Sequence, residues 1–489
     1  MTSIIIAAAS LVGIFVVSPT IIQSSIDETR LTFTTVMNMT NPTDTSVVLS
    51  AGIAAVVSSP LAATMSAPGT AVEYFDPSYG AYRRFGSTRL PAVDIEPGQD
   101  ATVNIPFQET VDIRDAAVWN DFIRLALMAE TFELRFTSDD VRVKLGGPLA
   151  FVGLEYRDLR LSTSVEVKGM NGLSDMEIVS FDVRNGPTPD NLPTQMVLAT
   201  IYNPSDLAAM PLGMLSGEAT YQGTSLGWIH TVDPVSLVPG VNSVYLEGTL
   251  DPKDMTAMND LFSRLMTGQS SQLKITFKNH TEVVSAKDGS LTDVRIPCTD
   301  VSLYEAGMNG FSAEVTLRWP GPRLNLTSEN VVDASDITLQ TTSIPLWVGI
   351  LNPFSCDATL TDMEMMSFWD GSSDPSVPVS TVSSPKMHIP LAPIAYTLTG
   401  TTKATAIQAS VDILNANTIK MTDVLMTTGW IFQGIRGTFT FQVGGGLTLT
   451  ATYQQDINIP TCNLRYVQSN ADGGVCSNPP TDEITNNRT

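Results

Sequence analysis

Residues 110–125, TVDIRDAAVWNDFIRL, and residues 249–264, TLDPKDMTAMNDLFSR, align without a gap. Asp112, Asp115, Asn120 and Asp121 of the first recur as Asp251, Asp254, Asn259 and Asp260 of the second. Val118, Phe122 and Leu125, with Trp119, Ile123 and Ala126 beside them, follow i, i+4, i+7 spacing, and Met255, Met258, Leu261, Phe262 and Leu265 repeat the stripe. That period predicts one amphipathic helix in each copy. A second, independent pair supports the same unit: KGMNGLS from Lys168 returns as AGMNGFS from Ala306. The interval from Gly169 to Gly307 matches that from Thr110 to Thr249 to within one residue. A chain that repeats itself at this spacing is an array of similar domains.

A third landmark occurs three times. An apolar, β-rich run meets Asn41-Pro42, Asn203-Pro204 and Asn352-Pro353. Proline lacks the ladder donor and asparagine closes an Asx-turn, so each strand should end there. Between the landmarks, LTFTTV, FELRF, VRVKL, MEIVSFDV, LKITF and LTLTATY alternate β-branched or aromatic residues with polar ones and are bounded by turn formers. The fold class expected is mainly β: three tandem antiparallel β-sandwich domains, each with one amphipathic helix, behind an N-terminal transmembrane helix. The boundaries are an anchor at 1–22, repeats at 23–160, 161–305 and 306–460, and a tail at 461–489. AIQASVDILN from Ala406 is the expected helix of the third repeat, with a weaker stripe.

Composition agrees with a folded chain. At 489 residues, with 43% hydrophobic and 16% charged residues, there is material for about three domains of roughly 150 residues. A net charge of −23 repels phosphate backbones, which excludes nucleic acid as a partner. Residues 4–22, IIIAAASLVGIFVVSPTII, carry no charge and approach the length that crosses a bilayer. They are expected to be a retained anchor, with the bulk of the chain on the lumenal or extracellular side. The sequons at Asn38, Asn279, Asn325 and Asn487 are glycosylation candidates on that side. Four cysteines, Cys298, Cys356, Cys462 and Cys476, lack the close pairing of a zinc or redox site. Two readings stand: bridges Cys298–Cys356 and Cys462–Cys476, or four buried thiols.

Catalytic patterns are few. GTSLG at 223–227 fits G-x-S-x-G, which places a serine nucleophile on a strand-to-helix elbow. Here the serine, Ser225, lies between strand-like runs with no helix after it, so Gly223 and Gly227 read as turn formers. His230, His280 and His388 are far apart in sequence and suggest no shared acid/base or metal site. DGSSD at 370–374 and TSDD ending at Asp140 lack the spacing of a calcium loop, and VGGGL at 443–447 precedes no helix that could hold phosphate. No metal, cofactor or catalytic residue is expected. The helix stripes are the remaining feature: Met and Phe fill cores, and they also suit an adaptable apolar groove. Trp119, Phe122, Ile123, Met258, Phe262 and Leu265 are the groove candidates.

The apolar N-terminal segment leading into SPTIIQSSIDETRL, the strand with Asn-Pro, YQGTSLG, and VPGVNSVYLEGTLDP before the helix resemble the late embryogenesis abundant group-two domain, also called the water-stress and hypersensitive-response domain. The likeness is to tandem copies behind one membrane span, as in fungal and protist proteins of the vacuolar membrane. Thr43, Ser205 and Phe354 depart from the Asn-Pro-Asn of plant members. The resemblance implies a β-sandwich with a helix beside it, no catalytic residues, and lipid bound or moved through an apolar groove. The expected function is therefore lipid binding or transfer by a membrane-anchored, non-enzymatic protein in a vacuolar or other endomembrane lumen. The alternative is a structural or adhesive spacer that presents surfaces to a protein partner.

Overall fold

The computed structural model describes residues 19–59, 62–146, 153–186, 192–208, 210–285, 291–318, 330–332, 343–350, 354–369, 371, 374–383, 389–391, 405–413, 416–428, 430–444, 446–463, 467–468 and 475–476. Strands dominate it. Thr131–Leu145 and Glu155–Lys168 pair antiparallel, with Phe132 opposite Val167 and Leu134 opposite Val165. In both, buried apolar positions largely alternate with more exposed ones, the pattern of a sheet with one wet face.

Three β bodies follow in series. The first is a nine-stranded sheet drawn from Arg30–Lys168, joined by the short strand Leu207–Ala208. The second, between Met176 and Leu317, is a closed barrel in which Ser312–Leu317 runs parallel to Met176–Arg184. The third is an eight-stranded sheet between Asn330 and Asn463, in which Ala358–Trp369 also pairs with Ser380–Ser383, so that its pairings too run in a ring. By sheet membership, Glu155–Lys168 belongs wholly to the first body and Ser312–Leu317 to the second.

The mainly β, several-sheet organisation expected from the sequence is present, with two corrections. The middle body is a barrel, because its first and last strands meet and leave no free edge. The bodies are not wholly antiparallel either: Leu207–Ala208 runs parallel to Met37–Thr40, and Asn330–Val332 parallel to the end of Leu447–Asn463.

Five helices are described: α1 over residues 19–27, α2 (Ala116–Met128), α3 (Met255–Met266), α4 (Ser302–Met308) and α5 (Ala416–Thr428). Both repeated helices start at the same aspartate. Asp115 accepts from the Ala117 and Val118 N–H groups and Asp254 from that of Thr256, filling donors that a first turn otherwise leaves open. The helix expected from Ala406 is instead the strand Thr405–Ile413, paired with Ser343–Ile350. Its Ile407, Ala409, Val411 and Ile413 recur at every second position, and the helix begins only at Ala416. The expected anchor, 4–22, lies outside the described residues except for 19–22. Among the described residues no helix is long and apolar enough to cross a membrane.

The Asn-Pro landmarks act as read. The strands Met37–Thr40 and Thr194–Asn203 stop there, and Asn203 Oδ1 accepts from the Ser205 N–H at 2.9 Å, an Asx-turn. Asn352-Pro353 falls outside the described residues.

Removal of either helix cap tests the repeat. Asp115→Ala and Asp254→Ala should each cost about 1 kcal/mol, read as a lower denaturant midpoint. Asp233→Ala, in an exposed bend of the barrel, should change it by less than about 0.5 kcal/mol.

Candidate functional site

The recurring residues converge on the seams between bodies. At the first seam, the Gly307 N–H donates to Asn120 Oδ1 at 3.1 Å, Trp119 Nε1 to Leu303 O at 3.1 Å, and Arg124 Nη2 to Asn309 O at 2.7 Å. Trp119 also stacks on Tyr304, with centroids 6.3 Å apart. Gly307 is required there, since a Cβ would lie 2.9 Å from Asn120 O. At the second seam, the equivalent Asn259 accepts through Oδ1 from the Thr450 N–H at 2.9 Å, and Ser263 Oγ accepts from the Thr452 N–H at 2.9 Å. Phe262 stacks on Phe354 at 5.6 Å and meets Phe441 edge-on at 6.0 Å.

The third recurring pair faces inward. Asp121 Oδ2 accepts from Arg83 at 2.7 Å and Asp260 Oδ2 from the Tyr221 hydroxyl at 2.6 Å, tying each helix to a strand of its own body.

The six residues read as groove candidates are all buried. Trp119, Ile123 and Phe262 meet the following body. Phe122 packs on Phe85 at 4.7 Å, Met258 borders a cavity of about 20 Å³ inside the barrel, and Leu265 is fully enclosed. The stripe is apolar because neighbouring bodies cover it.

Two of the larger cavities lie elsewhere. A cleft of about 520 Å³ on the barrel brings together His230 and His280, whose sequence positions gave no sign of it. His280 stacks on Trp228 with centroids 3.9 Å apart, and its Nδ1 lies 3.4 Å from Ser216 Oγ. His230 Nε2 meets Glu247 Oε1 at 3.2 Å. Asp300 Oδ1 accepts from the Met214 N–H, and Asp251 pairs with Lys253. These groups bond within the wall, and among the described residues no three ligands converge as a metal would need. Ser216 is buried in a strand, and its N–H donates to Cys298 O. The other cavity, about 250 Å³, is apolar and lies between α1 and the first sheet.

Ser225 lies in the strand Thr224–Thr231, after a two-residue turn in which Gln222 and Gly223 have φ of 50° and 80°. Both positive angles are what such a hairpin turn demands. No helix follows the serine, and its hydroxyl bonds the Glu218 carboxylate. His388 lies outside the described residues.

Cys298 and Cys356 are buried thiols, so the first expected bridge is not formed. Burial pushes the Cys298 thiol up to about 11, with Glu305 adding to the shift. Burial likewise pushes Cys356 up to about 12, with Asp182 adding. The side chains of Cys462 and Cys476 lie outside the described ones. Of the sequons, Asn279 serves the fold, since its Oδ1 accepts from the Cys298 N–H and its Nδ2 donates to Glu305. Asn38 lies on a strand paired on both sides, to Ser50 and to Ala208. Asn325 and Asn487 lie outside the described residues.

A family model described as "Protein of unknown function (DUF3712)" matches residues 83–215. The match covers α2, the later strands of the first body and the entry to the barrel, well under half of the chain. It corrects the resemblance to the late embryogenesis abundant group-two domain, because the family that matches is this uncharacterised one. No curated protein matches. Among solved structures, the chain is similar to the BSP domain of a biofilm-associated protein, at 9% identity over 87% of this chain and 67% of that one, with a TM-score of 0.17. It is also similar to the FN1–FN3 domains of chicken CNTN1, at 10% identity over 87% and 99%, with a TM-score of 0.12. A third is a bacterial adhesin from Mobiluncus mulieris, at 7% identity over 59% and 98%, with a TM-score of 0.15. Scores this low carry no argument about this chain.

The buried thiols make a direct test. Because thiolate is the reactive species, Cys298 and Cys356 should resist maleimide at pH 8 in the folded chain and react fully in denaturant, followed by peptide mass. Both pKa values are raised on folding. Their contribution to stability is therefore present below the ordinary thiol range and declines as pH climbs from about 9 toward the folded values of about 11 and 12.

Proposed function

We propose that this chain is a non-enzymatic structural array, a stiff spacer that holds its outer surfaces at a set distance from a membrane to which its N-terminal stretch tethers it. One observation carries the reading: the repeated helix in each of the first two bodies lends the next body a side-chain amide oxygen. Asn120 serves the Gly307 N–H and Asn259 the Thr450 N–H. A hinge needs seams that open at little cost, whereas these seams bury Trp119 and Phe262 against aromatic partners. The first seam is further fixed by Leu207–Ala208, which adds a strand from beyond the first sheet to Met37–Thr40.

The second seam has the same character at its rim. The Ser355 N–H donates to Asp182 Oδ1, and Asn185 and Asp357 exchange two bonds, Nδ2 to Oδ2 at 2.9 Å and N–H to Oδ1 at 3.0 Å. The tether in this reading is the uncharged stretch 4–22, and the bodies stand on the lumenal or extracellular side. Their acidic excess leaves protein surfaces, and not nucleic acid, as the partners to be presented.

Pulsed dipolar spectroscopy on the full chain tests stiffness. With Cys462→Ser and Cys476→Ser, spin labels at Tyr79→Cys and Met366→Cys, both exposed positions in the first and third bodies, should give one narrow distance peak. Asn120→Ala with Asn259→Ala should broaden it, and Asn259→Ala alone should cost the third body about 1–3 kcal/mol by leaving the Thr450 donor unpaired. A broad distribution in the chain carrying both asparagines would overturn the array.

A further inference from the structure

The apolar cavity of the first body has no part in joining the bodies. α1 lies across it, and Ile22, Ile26, Val57, Met65, Val143 and Leu145 are on its wall. No charged side chain borders it. Its wall carries three hydroxyls: Ser25 Oγ donates to Ile21 O, Thr29 Oγ1, just past α1, donates to Ser25 O, and Ser59 on the sheet side has an interaction of its own. Water held in a cavity needs two to four polar partners, and apolar cavities of about 150 Å³ stay dry and take apolar guests. This one, at about 250 Å³, is larger and partly open.

Its position narrows the guest. Ile21, also on the cavity wall, is 44% exposed, and it stands at the end of the uncharged stretch 4–22. An opening beside such a stretch faces hydrocarbon if the stretch enters a bilayer. The wall carries no charge to orient a charged ligand and is mostly apolar, while a chain of methylenes needs only apolar contact. α1 is held across the cavity from one side by a specific clasp. Gln23 Nε2 donates to Arg160 O at 2.8 Å, and the Arg160 N–H donates to Gln23 Oε1 at 3.0 Å.

We propose that this cavity binds one unbranched acyl chain, which enters beside Ile21 and leaves its polar head outside. The array stands whether or not the chain is bound, so the two readings fail separately. The chain could belong to a membrane phospholipid or to a free fatty acid, and the test separates these sources.

The full-length protein in phosphatidylcholine vesicles is photolabelled in three arms: diazirine palmitate, phosphatidylcholine with a diazirine acyl chain, and a diazirine sterol. Adducts are mapped by peptide mass. Either acyl probe should mark peptides containing Ile22–Ile26, Met65 and Val143, and the probe that does so identifies the source. Ala63→Phe, which fills the cavity from the sheet, should cut that labelling by about tenfold or more at an unchanged melting temperature. If that variant unfolds the first body, Ser25→Phe fills the cavity from the helix surface and should give the same loss. Acyl labelling confined to residues 4–20, labelling unaltered by a folded filling variant, or preference for the sterol would each overturn the proposal.

Discussion

An open sheet edge is the constraint on which the rest of this structure depends. A strand with no neighbour presents N–H and C=O groups that invite pairing with other chains. In the first sheet Glu155–Lys168 is such an edge, and Gln23 of α1 satisfies both backbone groups of Arg160. In the third sheet, among the described residues, Leu447–Asn463 has no strand beside Thr450 on its outer side. There Asn259 and Ser263, one helical turn apart on α3, take the Thr450 and Thr452 N–H groups. Each edge is closed by a helix that precedes it in the chain.

The first seam has a different form. There α2 meets the short helix α4 of the barrel instead of a strand. Asn120 still receives a backbone N–H, but from Gly307 in a helix. The same side chain at the same repeat position thus serves two geometries, because an amide oxygen on a helix surface needs only an unpaired N–H at bonding distance. The KGMNGLS and AGMNGFS copies behave similarly. Gly169 and Gly307 both approach α2 too closely for a Cβ, and Gly172 and Gly310 both take left-handed angles, 69° and 83°.

This arrangement gives the apolar helix stripes their meaning. One flank of each helix packs on its own sheet, Phe122 against Phe85 and Met258 toward the barrel interior. The other flank is covered by the next body, through Trp119 on Tyr304 and Phe262 on Phe354. A stripe wide enough to bury two flanks looks from sequence like a ligand groove. The apolar space that is left lies under α1, where a single helix crosses a sheet without filling it.

The sequence by itself determined the β character of the chain, its repetition, the turns at Asn41-Pro42, at Asn203-Pro204 and at Gly223, and the helices from Asp115 and Asp254. These are local properties: alternation, periodicity and turn chemistry act within a few residues. Tertiary structure alone decided that the middle body closes into a barrel and that His230 and His280 share a cleft. It also decided that Cys298 and Cys356 stay thiols and that Asn120 and Asn259 reach across seams. Each of these depends on which distant segment lies alongside, and that is set by strand pairing and edge coverage over a hundred or more residues, beyond the reach of any local pattern.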